Sequence, residues 1–153
     1  MAVNYRDLII YKKARELVIG VNQLIDGFPN TPQARSISPQ LFSAVTSIGA
    51  NIAEGKAKGI GKEYLRYLTH AQGSANEVDH WLNTVMDCNI APKDKVQQLL
   101  NLNLEVLKML SSARETLAKQ IESGMQYRAV KEESAVYQTE LINFQDPLEL
   151  LNP

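Results

Sequence analysis

From Tyr64 to Val85 the chain repeats one spacing without a break. Tyr64, Leu68, Ala71, Ala75, Val78, Leu82 and Val85 follow at steps of 4, 3, 4, 3, 4 and 3. That spacing keeps one stripe of a helix facing its neighbours, whereas a strand would alternate every second residue. A helix of this kind cannot bury its stripe alone, so the rest of the chain must supply partners. Gly73-Ser74 interrupts the composition but not the period. Glycine costs about 1 kcal/mol relative to alanine inside a helix, so its presence predicts a close helix crossing at that point.

Three further segments supply those partners. Between about Asn4 and Gly27, residues Tyr11, Ala14, Val18, Val21, Ile25 and Phe28 form a seam that Leu17 and Leu24 widen, and Gly27 with Pro29 ends it. Residues 29–38 are rich in turn formers and predict a loop. Ser38-Pro39 then opens a second helix, with a hydroxyl cap and proline at the first helical position, and Leu41, Val45, Ile48 and Ile52 carry it to about Gly55.

The last helix runs from about Pro92 to Ser123 and carries two apolar stripes. One is Val96, Leu100, Leu104, Leu107 and Leu110, and the other is Leu99, Leu102, Val106 and Met109. Two stripes exceed what one bundle core uses, which predicts a central helix or a subunit interface. The fold class is all-α: an antiparallel up-down four-helix bundle over residues 1–123, followed by an extension over residues 124–153. The extension holds Tyr127, Val130, Val136, Tyr137, Leu141, Ile142 and Phe144, apolar residues able to dock without a sustained period, and ends in a strap-like Asp146 to Pro153.

A chain of 153 residues suits one domain with a real core. One cysteine, Cys88, offers neither a disulfide framework nor a thiolate cluster, which suits a reducing cytosol. The start lacks the features of a signal peptide and no apolar run is long enough for a membrane span, so a cytoplasmic location is expected. Net charge is −1, unevenly spread. Residues 124–153 hold 2 basic and 5 acidic residues, which leaves 14 basic and 12 acidic in the body. A mildly basic body carries an acidic tail.

Catalytic constellations are scarce. His70 and His80 lie ten residues apart, on different helical faces, and no HExxH, paired-cysteine or strand-linked phosphate loop occurs. No catalytic residue, metal or cofactor is assigned. Ser47, Asn51 and Glu54 share a helix face, which predicts Asn51 and Glu54 as buried polar organisers bonded to a facing helix, or as a polar pocket. Glu77 is a third structural polar residue, with Arg15 or Arg66 as prospective partners. Lys56, Lys58, Lys62 and Arg66 cluster beside Tyr64 and Tyr67, a composition suited to phosphate contact and base stacking. Arg66 and His70 sit at i and i+4, where acid-base chemistry on RNA of the HEPN-ribonuclease type is conceivable. That type spaces its arginine and histidine wider and follows the arginine with a polar residue, where this chain has Tyr67.

Ser47-Ile48-Gly49-Ala50-Asn51-Ile52-Ala53-Glu54-Gly55 resembles the central motif of proteins encoded in 23S rRNA intervening sequences, a group related to the accessory variability determinants of diversity-generating retroelements. The resemblance extends over roughly residues 5 to 120, including Tyr5-Arg6-Asp7-Leu8, Lys62 to Leu68, Gly73-Ser74, Glu77 and Leu82. Gly49-Ala50 stands where the family has Pro-Ser, Tyr11 replaces a tryptophan, and Gln72 replaces an arginine.

The resemblance implies a homopentameric ring of bundles. It implies two tasks for that ring, and both stay open. The first is a non-catalytic scaffold that binds RNA or DNA, a reverse transcriptase, or both. The second is a protein-only interaction module, to which the near-neutral charge is better suited unless the tail screens the basic surface.

Overall fold

The computed structural model describes residues 4–59, 61–133 and 146–152, with side chains through 124 and again from 146. A short 3-10 turn, η1 (Tyr5–Asp7), leads into four helices: α1 (Ile9–Asp26), α2 (Pro32–Ala57), α3 (Lys62–Asp87) and α4 (Lys93–Glu133). Among the described residues there is no strand. Each helix lies beside the next, and α4 closes the square against α1. The pairing is antiparallel throughout. A Cβ on Gly49 would meet the Tyr11 ring at 3.4 Å, Asn103 bonds Ala75, and Lys13 of α1 pairs with Glu105 of α4. The result is the up-down four-helix bundle the periodicity predicts.

The α3 seam is buried as read, from Tyr64 through Val85, and so are Leu41, Val45, Ile48 and Ile52 on α2. On α1 the buried line is Ile10, Ala14, Leu17, Val21 and Leu24. Ala14, Val21 and the widening pair Leu17 and Leu24 are thus buried as read, Ile10 joins them, and Tyr11, Val18, Ile25 and Phe28 lie at the edge. On α4 the core runs through Val96, Asn103, Val106, Leu110, Ala113 and Leu117, drawn from both stripes. Leu104 stays 49% exposed, so the first stripe is not wholly inside the bundle and α4 is not a fully central helix.

Helix α2 begins earlier than Ser38-Pro39. Thr31 caps it through a 3.2 Å bond from the Ala34 N–H to its hydroxyl oxygen, and Pro32 takes the first turn. The added turns bury Ala34 and Ile37 in phase with Leu41. Pro39 is tolerated inside the helix because it faces solvent, and the Ser38 hydroxyl donates to the Ala34 carbonyl at 2.7 Å. Gly59 (φ 81°) and Gly61 (φ 132°) carry the turn into α3, conformations that a side chain would strain.

The expected crossing at Gly73 is absent, for Gly73 is exposed with nothing within 4 Å of a Cβ placed there. The close approach is at Gly55 instead. A Cβ there would lie 2.8 Å from Cβ of Tyr67 and 3.0 Å from the Tyr64 ring. Helix α4 also passes through Gly124 and continues to Glu133, so a boundary at residue 123 does not coincide with a helix end. Tyr127 and Val130 fall where only the helix backbone is described, and Val136, Tyr137, Leu141, Ile142 and Phe144 lie outside the described residues.

Candidate functional site

The end of the bundle where α2 hands over to α3 is closed by residues 146–152. Gly55 lets Tyr64 and Tyr67 settle against the last turn of α2, which brings the Tyr64 hydroxyl and the Lys56 ammonium to one spot. Asp146 occupies that spot. One carboxylate oxygen pairs with Lys56, and the other accepts from the Tyr64 hydroxyl at 2.8 Å and the Leu148 N–H at 2.9 Å. Glu149 is a second partner for Lys56, whose side chain is 14% exposed.

Burial alone would lower the Lys56 ammonium, but the hydrogen bonds and charges of Asp146 and Glu149 outweigh it and hold it above the usual lysine value. Burial, reinforced by the charge of Asp146, pushes the Tyr64 hydroxyl far above its usual range, so it stays a neutral donor.

The other residues read from the sequence are less enclosed. Lys58 pairs with Glu54 at 3.1 Å, and Arg66 pairs with Glu63 at 3.2 Å, both on the surface. Hydrogen bonding and charge from Glu54 raise the Lys58 ammonium. Lys62 is exposed and has no ion pair among the described residues. Arg66 also lies over the Tyr67 ring, 5.4 Å from its centroid, and His70 packs edge-on against the same ring, with centroids 6.2 Å apart. Tyr67 thus engages both residues of the Arg66/His70 pair.

Three polar residues take different places from those expected. Asn51 donates to the Ser47 carbonyl of its own helix at 2.8 Å, Glu54 is half exposed, and Glu77 accepts from the Trp81 indole at 3.4 Å. None of these bonds reaches a facing helix. Each side chain lies toward the edge of its helix, where the backbone or an i+4 neighbour is closer than the next helix. The buried polar link between helices is Asn103, fully enclosed, donating to the Ala75 carbonyl at 2.9 Å while its own oxygen lacks a partner.

Two basic features escaped the sequence reading. Arg114 on α4 donates to Thr69 at 3.1 Å and to Gln72, so a guanidinium stands where Gln72 alone would leave α3 neutral. On the outer face of α1, a shallow depression is lined by Tyr5, Arg6, Tyr11, Lys12, Arg15, Glu16 and Ile19, three cations against one carboxylate. The two tyrosines meet edge-to-face at 5.0 Å, and Arg6 lies 4.8 Å from the Tyr5 centroid. Arg6, Lys12 and Arg15 have no ion pair among the described residues. Their spacing is irregular, and the alternation of charge and apolar residues along α1 hides them as ordinary surface. Among the described residues no three potential ligands are grouped to hold a metal, and no helix is long and apolar enough to cross a membrane.

These features define a four-helix-bundle protein with a basic junction closed by an acidic strap. Residues 6–112 match the family described as 23S rRNA-intervening sequence protein, and the chain belongs to that family. A crystal structure of a protein of unknown function from Bacteroides thetaiotaomicron, assigned to the S23 ribosomal protein family, has the same fold, with a TM-score of 0.62 at 24% identity over 67% of this chain and 94% of that one. No curated protein matches the sequence.

Proposed function

We propose that this protein is a non-catalytic, homo-oligomeric scaffold, pentameric and cytoplasmic, that binds RNA or DNA through its basic bundle end. The carrying observation is a set of cations without ion pairs among the described residues: Lys62 on α3, and Arg6, Lys12 and Arg15 beside the half-buried Tyr5 and Tyr11 on α1. Cations supply salt-sensitive phosphate affinity and tyrosines supply stacking surface. Lys58 and Arg66 join them at small cost, since exposed ion pairs contribute little and exchange partners readily. Lys56 is withheld from phosphate by Asp146 and Glu149. Exposed Ile19, Phe42 and Leu104 supply apolar surface for contacts between copies. The resemblance to retroelement accessory proteins supports a reverse transcriptase as a protein partner.

The alternative is a protein-only interaction module. The observation in its favour is that the best enclosed cation, Lys56, is already paired with protein carboxylates. The ribonuclease reading has less support, because Arg66 is engaged by Glu63 and both Arg66 and His70 contact the Tyr67 ring.

Filter binding of single-stranded RNA across a salt series tests the proposal. Affinity should fall with salt, and Lys62→Ala or Lys12→Ala should each reduce the log–log slope by about 0.7 to 1. Absence of salt-dependent binding by the wild type overturns it in favour of the protein-only module. RNA cleaved by the wild type but not by His70→Ala would instead restore the ribonuclease. Light scattering tests the assembly, and a monomer refutes the scaffold's ring.

A further inference from the structure

Residues 146–152 are held in the way a ligand is held. The Asp146 carboxylate takes three donors, from Lys56, Tyr64 and the Leu148 N–H. Two residues on, Leu148 is 0% exposed. At the far end, the Asn152 side-chain oxygen accepts from the Ile9 N–H at 2.8 Å and so caps α1, whose own N-cap residue, Leu8, has no side-chain oxygen to offer. The receptor residues Ile9, Lys56 and Tyr64 all lie within the family match of 6–112, and the whole strap lies beyond it. The seam therefore divides a family body from an appendage that fills its cleft.

We infer that this cleft, formed by the start of α1, the end of α2 and the start of α3, is a docking site for a short acidic protein segment. The segment carries a carboxylate two residues before a leucine, and residues 146–152 are a tethered occupant that a partner's segment of the same chemistry displaces. Phosphate would satisfy Lys56 and Tyr64 equally well. It would leave the Leu148 position unfilled, and that position takes an aliphatic side chain. The occupant is thus a peptide. The inference stands apart from nucleic-acid binding on α1 and α3, and either can fail without the other.

The test uses the full chain with a site-specific protease sequence inserted between residues 134 and 145. The probe is a fluorescent peptide copying residues 144–153. The intact chain should bind the probe at least about 100-fold more weakly than the nicked chain, because a tethered competitor acts at high effective concentration. Lys56→Ala in the nicked chain, or Asp146→Asn or Leu148→Asp in the probe, should weaken binding tenfold or more. The two probe variants keep the test intact if Lys56→Ala does not fold.

Three results would overturn the inference. The nicked chain could retain its strap against excess probe. It could lose helical circular dichroism when the strap leaves, which would make the strap part of the fold. Or an oligonucleotide could displace the probe as well as unlabelled peptide does.

Discussion

Gly55 and Tyr67 approach so closely that a single methyl group between them would lie 2.8 Å from Cβ of Tyr67. That atom is fixed to the α3 backbone and cannot swing aside as a chain tip could. Gly55→Ala should therefore push α2 and α3 apart and destabilise the bundle by about 1–3 kcal/mol. The denaturant midpoint reads the effect, and an unchanged midpoint would show that the helices do not meet there.

Gly73→Ala should do the opposite. The position is solvent-exposed, helical and open around the missing Cβ. Replacement should stabilise α3 by about 0.5–1 kcal/mol, mainly by restricting the unfolded chain. A loss of stability would mean that this face of α3 is covered in the assembled protein.

Alkaline pH should loosen the strap. Both Lys56 and Tyr64 hold their protons more tightly in the folded chain than at their usual values of 10.5 and 10.0. Their contribution is complete below the usual values and is lost as pH rises through and beyond them. Urea midpoints measured between about pH 9 and 11 should fall, and the fall should be shallower in Tyr64→Phe. An equal slope in both proteins would remove Tyr64 from the account.

Leu148→Ala removes a fully buried side chain, a change that costs about 2–5 kcal/mol inside a core. Here the loss is limited to the docking energy of the strap, because the strap can leave while the helices stay. Amide exchange at residues 148–152 should speed up by several orders of magnitude with little change in the α3 core. Equal acceleration of both would merge strap and bundle into one cooperative unit.

The regular parts of this structure were legible in the sequence, and the reasons are specific. On α3 the apolar residues are few and strictly spaced, so the seam from Tyr64 to Val85 has one reading. On α1 the stripe is wide, and its centre at Ala14, Leu17, Val21 and Leu24 is legible while its edge is not. On α4 leucines and valines are so plentiful that neighbouring lines look alike. On α4 the line passes through Asn103, a polar residue that an apolar pattern discards.

Taking Ser38-Pro39 as the start of α2 passes over Thr31-Pro32, the same hydroxyl–proline pair inside a stretch that reads as a loop. The earlier start buries Ala34 and Ile37. The basic cluster was legible as composition, but its pairing was not. Lys56 meets Asp146 across 90 residues, a separation at which no periodicity carries information. Helical spacing places Asn51 and Glu54 on one face of α2, but spacing carries no depth, and Asn51, Glu54 and Glu77 all bond within their own helices.

Asn103 also fixes how far α3 and α4 can slide along each other. Its amide finds the Ala75 carbonyl at one vertical offset only. A shift of one heptad would set Val96 or Leu110 there and strand the amide among aliphatic side chains. Asn103→Leu should thus raise the melting temperature while broadening the amide NMR spectrum, as several offsets become nearly equal in energy. The residue works as a detent between two smooth rods. It gives up part of its hydrogen bonding, since one oxygen goes without a partner, and in return the basic junction and the strap cleft are assembled at one height on the bundle.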